Sequence, residues 1–431
     1  MSSSSYSMVR SGSALLQTGL GTMFTWQEKD AMTPQRALAA MVVFFTLAIQ
    51  LASAESPLPT NCGEPATSSD ADDWIRHADC LRQAGDPRAA LAVYERAGKL
   101  ESQCSRSRHY GMGLAYEDLD LGEEAHAAFL EAQKCGRLDA DLLYHIGIAR
   151  EIDNRYDEAL VYFRRALELD AGDNRIQRNI GFVLTRQGHD EEAIPFFLEA
   201  IHLDQNDHKA WHNLGVTYSV VEEGIREELR ELSLESREGT VETDNPIEQR
   251  IQGLNRKLKA FDWFGEAIKA LRESVRLEPR QPLYWYTLGT TLKHRRELLP
   301  EAVDALCEAV SLKPDYYEAL RNLTINQERL GRFGEAHATG LHLARVAGPG
   351  DIWLEVHLAD LETKLGDWVT AEKRYQRALA AGEANVDAHM GLAIVYRHLS
   401  RKEASDAHLR RAIELRPDLK RLFEHAVESA P

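Results

Sequence analysis

The strongest constraint on this chain is a recurrence. From residue 73 to residue 417, segments of one texture return about every 34 residues. Two neighbouring examples are LLYHIGIAREIDNRYDEALVYFRRALELD (142–170) and RIQRNIGFVLTRQGHDEEAIPFFLEAIHLD (175–204). In each, a glycine (Gly147, Gly181) precedes an alanine (Ala159, Ala193) by the same interval. An aromatic follows four residues on (Phe163, Phe197), and a second alanine three residues after that (Ala166, Ala200). Steps of three and four keep side chains on one helical face. The small residues let two helices approach, and the aromatic fills the gap between them. Such a pair cannot bury its apolar stripe alone, so neighbouring copies must stack. The expected fold class is all-α.

These residues carry a resemblance to the tetratricopeptide repeat family, over nearly everything from Trp74 to Pro417. The first copy has Ala78, Ala90, Tyr94 and Ala97; the second has Gly113, Tyr116, Ala125, Phe129 and Ala132. The fifth opens with Trp211, Leu214, Gly215 and Tyr218 and closes with Ala267, Leu271, Ser274 and Pro279. The sixth has Trp285, Leu288, Gly289, Ala302, Leu306 and Pro314. The seventh departs from the pattern, with Thr324 at the small position and Gly340 at the aromatic one. Ala359, Ala371, Tyr375 and Ala378 mark the eighth, and Ala393, Tyr396, Leu409, Ala412 and Pro417 the ninth. What the resemblance implies is a right-handed superhelical solenoid of about nine helix-turn-helix repeats. The segment 418–431 reads as a closing helix over the last stack.

The fifth copy holds an insertion. Gly215 and Ala267 stand about forty residues further apart than the repeat requires. Within 221–261, Val221, Ile225, Leu229 and Leu232 share one helical face. After Asp244-Asn245-Pro246, the residues Ile247, Ile251, Leu254, Leu258 and Phe261 alternate steps of four and three, the seam of a coiled coil. Both repeat helices are therefore expected to be prolonged into an antiparallel arm with GTVETDN at its tip, a natural second contact site for a partner. A disordered acidic loop is the alternative.

The N-terminus points out of the cytoplasm. Residues 37–54, ALAAMVVFFTLAIQLASA, are apolar, follow Arg36 and end in Ala52-Ser53-Ala54, the form of a signal-peptidase site. Residues 1–54 are expected to be a leader and cleaved signal, with translation starting at Met32, and 55–72 an N-terminal extension. The resulting expectation is a periplasmic or secreted protein without an integral membrane segment after cleavage; the alternative is an uncleaved anchor. Four of the five cysteines lie early in the mature segment. If residues 106–134 form an antiparallel helix pair, Cys104 and Cys135 fall side by side, and Cys62–Cys80 follows by default. Buried free thiols are the other possibility. The net charge of −17 repels phosphate backbones, so no nucleic-acid partner is expected.

In this family the first helices line an inner surface that receives a peptide or partner helix. The position two before the small residue faces that surface, and here it is Asn179, Asn213 and Asn322, becoming His145, Thr287 and His357 in other copies. An asparagine ladder is similar to that of the repeat domain of O-linked N-acetylglucosamine transferase. An amide both donates and accepts, so it suits a peptide main chain. Arg178 and Arg321 adjoin two of these asparagines, with Arg175 and Lys209 nearby, and are expected to receive carboxylates.

Catalytic machinery is not visible: HExxH, GxSxG, a phosphate-binding loop and CxxC are all missing from the sequence. His208 and His212 sit four apart without a third ligand, so no metal, cofactor or small-molecule substrate is expected. The expected role is a non-enzymatic scaffold for a protein or peptide partner, for example in envelope or secretion assembly. The alternatives are a carbohydrate- or peptidoglycan-binding accessory subunit and a membrane-tethered co-chaperone. Exposed groove aromatics at Tyr144, Tyr286 and Trp353 would favour carbohydrate.

Overall fold

The computed structural model describes residues 62–65, 68–101, 103–238 and 246–419. The expected leader and signal, the arm tip and nearly all of the expected closing helix lie outside the described residues. Those residues contain nineteen α-helices and one 3-10 turn, and no strand. The chain divides into two compact units at Glu101 and Ser102.

The first unit contributes α1 (Ala71–Gln83) and α2 (Pro87–Gly98). Asp70 and Asp86 cap them, each accepting a backbone N–H at its helix start. Trp74, Ala78, Ala90, Tyr94 and Ala97 are buried between the two helices. Arg96 lies over the Trp74 ring, 3.6 Å from its centroid. The structure pairs Cys62 with Cys80, with Cα atoms 5.7 Å apart.

The second unit begins with the pairs α3 (Arg106–Glu117) and α4 (Gly122–Lys134), α5 (Ala140–Ile152) and α6 (Tyr156–Leu169), and α7 (Asn174–Arg186) and α8 (Asp190–Leu203). Cys104 is bonded to Cys135 across the first of these pairs, with Cα atoms 5.4 Å apart. Next come α9 (His208–Glu238), α10 (Pro246–Ala260) and α11 (Trp263–Leu277). The later pairs are α12 (Pro282–Leu292) with α13 (Leu299–Leu312), and α14 (Tyr317–Arg329) with α15 (Phe333–Ala347). The last are α16 (Ile352–Leu365) with α17 (Trp368–Ala381), and α18 (Val386–His398) with α19 (Lys402–Leu415). Within this unit each helix packs on its neighbours in sequence, α10 with α11 excepted, and most extensively within a pair. First helices also touch the next first helix (α3 with α5, α7 with α9, α16 with α18). The first-helix side is therefore the inner side of the stack.

The close approach expected at the small positions is present. A Cβ on Gly113, Gly147 or Gly181 would stand 2.4, 2.5 and 2.8 Å from Phe129, Phe163 and Phe197, all fully buried. Gly215 and Gly289 meet Leu271 and Leu306 in the same way. The seventh copy inverts the sizes: Thr324 is buried, and Gly340 faces it. Two other copies solve the problem differently. Ala78 and Ala359 replace the glycine, tyrosines replace phenylalanine, and Tyr94 and Tyr375 donate their hydroxyls to Asp79 and Asp360, each one residue beyond the alanine. The turn inside most pairs closes on a left-handed residue: Gly188, Gly331 and Gly366, or Asp120, Asn154 and Ser400.

The insertion builds an arm. Helix α9 runs unbroken for 31 residues, about 46 Å, well past its repeat partner. Helix α10 packs back against it antiparallel, burying Val221, Ile225 and Leu254, with Leu229, Leu232 and Leu258 partly covered. Arg250 pairs with Glu228 across this seam. Ile247 and Ile251 are half-buried on α10, outside that cluster. The second repeat helix is not prolonged, contrary to expectation. The chain breaks at Phe261–Asp262, where Asp262 accepts the Gly265 N–H at 3.1 Å and starts a new helix, α11. The Trp263 indole pins the break by donating to the Lys257 carbonyl at 3.4 Å.

Candidate functional site

The inner face carries the expected ladder positions, but most of their side chains already have partners. In the N-terminal stretch, His145 Nδ1 lies 2.9 Å from Glu117 Oε2, and Tyr110 donates to Asp141. Asn179 donates to the Tyr144 hydroxyl at 3.4 Å. Tyr144 itself is buried beneath Arg175, whose guanidinium stands 4.8 Å from the ring centroid. Arg175 is held by Asp173 at 2.7 Å and Asp141 at 3.2 Å.

Arg178 does receive a carboxylate, and it belongs to this chain. It is paired with Asp207, which also accepts from Asn174 at 2.8 Å and from the Lys209 and Ala210 N–H groups at the start of α9. The cap aspartates Asp139, Asp173 and Asp207 recur one repeat apart; Asp139 and Asp207 reach back to Arg106 and Arg178 of the copy before, while Asp173 holds Arg175 of its own helix. Beside this network, burial and then the Glu117 carboxylate push the Glu151 carboxyl up to about 7. Among the described residues its Oε2 is buried without a hydrogen-bond partner.

Further along, Asn213 is half-buried beside His212. His212 stacks on Tyr284 at 4.5 Å and meets Thr287 Oγ1 at 3.2 Å; burial foremost holds its imidazole down at about 4. His208 is taken by the Tyr284 hydroxyl at 2.7 Å. Asn322 accepts from Lys293 Nζ at 3.0 Å and donates to the Glu318 carbonyl at 2.9 Å. Arg321 lies over Trp353, which stacks on His357 at 4.8 Å; His357 stands 3.4 Å from Glu328. Tyr286 packs on Tyr316 at 5.0 Å. Tyr144 is thus buried, and Trp353 and Tyr286 have ring neighbours. Among the described residues, Cys104, His109 and Cys135 also place potential ligand atoms within 4.8 Å, with the two sulfurs bonded to each other.

Sequence reasoning missed one feature. A pocket of about 620 Å³ opens between α9 at the root of the arm and α12, with Thr287 in its lining. Its cations include Arg226, Arg230, Lys293 and Arg295. The signal was the short run Lys293-His294-Arg295-Arg296. It lies some sixty residues beyond the arm root, so only the stacking of α12 on α9 joins it to Arg226 and Arg230.

Comparison with known proteins identifies the repeat. Tetratricopeptide repeat family profiles match residues 152–215, and a second such profile matches 110–174 and 357–419. The chain therefore carries tetratricopeptide repeats over these stretches. It is 32% identical over 84 residues to the peroxisomal targeting signal receptor of Kluyveromyces lactis; the match covers 20% of this chain and 15% of that receptor. Among solved structures, it is similar to YrrB, a TPR protein with an unusual peptide-binding site, at 23% identity and a TM-score of 0.34, covering 56% of this chain and 96% of YrrB. A human IFIT1 dimer with m7Gppp-AAAA aligns at 12% identity and a TM-score of 0.46, covering 88% of this chain and 78% of that one. Among the described residues no helix is long and apolar enough to cross a membrane.

Proposed function

We propose that this chain is a non-catalytic interaction scaffold whose inner face holds an extended segment of a protein partner. The observation that carries the reading is the register of Asn179, Asn213 and Asn322, all half-buried on first helices of the stack. A side-chain amide can make four hydrogen bonds. Among the described residues Asn179 donates to the Tyr144 hydroxyl, and Asn322 accepts from Lys293 and donates to the Glu318 carbonyl. The remaining capacity suits a peptide main chain, which offers a donor and an acceptor at each residue. His145, His357 and Arg321 flank this line, while Arg178 serves to tie α7 to α9. The arm, with Ile225, Leu229, Leu232, Ile247, Ile251, Leu254 and Leu258 along its seam, is a second contact element in this reading.

In the same proposal the chain is exported, cleaved after Ala54 and oxidised at both cysteine pairs, and it works in the cell envelope or a secretion complex. The apolar run before Ala52-Ser53-Ala54 and the spacing of the paired cysteines support this. Carbohydrate binding is the weaker reading, because Tyr144 is buried and Trp353 lies between Arg321 and His357. The test is affinity capture from the native source with the intact protein and with a variant carrying Asn179→Ala, Asn213→Ala and Asn322→Ala. A partner retained by the first and lost by the second supports the scaffold. Equal retention places the contact elsewhere.

A further inference from the structure

The pocket at the arm root reverses the charge of the chain around it. The protein carries a net charge of −17, yet this pocket gathers Arg226, Arg230, Lys293 and Arg295 against Glu222 and Glu223. The acids are few, and one is already spent. Buried Glu222 accepts from Arg226 Nε at 2.8 Å and lies 3.7 Å from Arg295. Among the described residues Arg230 pairs with exposed Glu227, a surface pair that is cheap to exchange.

Lys293 is the unusual member. It is half-buried, and among the described residues it makes no ion pair; its ammonium donates to the neutral Asn322 amide. Arg329 is held beside it, donating to the Lys293 backbone carbonyl at 3.1 Å. Burial, followed by the Arg329 charge, pushes the Lys293 amine below its ordinary value. Two cations are thus packed together, with the charge of Glu223 opposing their repulsion only in part, an arrangement that an incoming carboxylate would relieve further.

We propose that this pocket receives acidic side chains of a protein partner, so that the bound segment is an aspartate- or glutamate-rich peptide anchored where the arm leaves the stack. The inference deepens the scaffold reading and rests on it. Three features favour an acidic peptide over a small inorganic anion. The volume of about 620 Å³ is in the range of sites that enclose organic ligands. Val216, Val220 and Phe264 provide an apolar wall for an aliphatic stem, with Arg295 stacked 4.6 Å from the Phe264 ring centroid. Thr287 and the Lys293–Asn322 hydrogen bond also place the pocket on the line of the ladder, where an extended peptide runs. The arm is what makes the site: Arg226 and Arg230 belong to the part of α9 that the insertion prolongs.

The test is fluorescence anisotropy of a labelled oligoglutamate titrated into the full chain, with oligolysine and oligoglutamine as controls. Saturable oligoglutamate binding is expected, weakened as salt rises, with oligolysine not bound. Lys293→Glu should lower the affinity about tenfold or more, since it puts a like charge against the ligand. Arg230→Glu, at an exposed position that folding does not need, should lower it several-fold. Arg164→Glu, an exposed charge reversal on second helix α6, should leave it unchanged, and unaltered circular dichroism spectra show that each variant is folded. The proposal is overturned if oligoglutamate does not bind, if Lys293→Glu and Arg230→Glu bind it as the native chain does, or if sulfate at equal ionic strength displaces it where chloride does not. Those outcomes leave the groove reading intact, because that reading fails on a separate result: no partner captured through Asn213.

Discussion

The glycine at the first-helix small position is needed for close approach, and Gly147→Ala tests this directly. The added Cβ would stand 2.5 and 2.7 Å from Cε1 and Cδ1 of Phe163, about 1 Å inside ordinary carbon contact. Phe163 is fully buried between α5, α6 and the next copy, so the ring cannot simply swing away. Overpacking of this kind costs about 1–3 kcal/mol. Alanine regains about 1 kcal/mol of helix propensity over glycine. The expected net loss is about 1 kcal/mol, read as a lower urea midpoint and weaker amide protection in α5 and α6. The first and eighth copies show how the loss is recovered, because there an alanine coexists with a tyrosine whose hydroxyl is held by the following aspartate. Adding Ile148→Asp and Phe163→Tyr to Gly147→Ala should therefore recover stability relative to the sum of the separate changes, by about 1 kcal/mol of coupling. A Gly147→Ala protein that is stabilised by the full propensity gain, with additive partners, would refute the packing argument.

Other predictions follow from the same contacts. Glu151 titrates near 7 in the folded protein against an ordinary value of 4.5, so folding favours its protonated form. The folded state then binds more protons between those values, and stability falls as pH rises through that window. Glu151→Gln should remove that slope and stabilise the protein at pH 8 by roughly 2–3 kcal/mol, as measured by urea unfolding across pH. Opening the Cys104–Cys135 link, with a sequence separation of 31, by Cys104→Ser should cost about 3–4 kcal/mol around α3 and α4, seen as a reductant-insensitive lower melting temperature. Leu254→Ala should cost about 2–4 kcal/mol locally, lowering amide protection in α10 while leaving α12 to α19 unchanged.

The repeat was legible because its packing rule is local and periodic. Gly147 with Phe163 and Gly181 with Phe197 announce helix pairs whatever surrounds them. The departures at Thr324 and Gly340 were visible too, although their mutual compensation appears only when the two are seen to face each other. The arm's first half followed from one continuous face, whereas the break at Phe261–Asp262 did not. The four-and-three seam runs through Leu258 to Phe261 without interruption, and the cap signal is a single aspartate three residues before Gly265. At the site, the ladder positions could be found by register. Their partners could not: Arg178 meets Asp207 and Lys293 meets Asn322 across 29 residues each, one copy to the next. The basic pocket combines α9 and α12, which only the stacking brings together.

The most direct test of the scaffold account is site-specific photo-crosslinking in the native source. A photoreactive residue replaces Asn213 on the inner face in one protein, and exposed Val161 on second helix α6 in another. The account predicts that a defined protein partner is captured through position 213 and not through position 161. Capture through 161 alone, or equally through both, would contradict it.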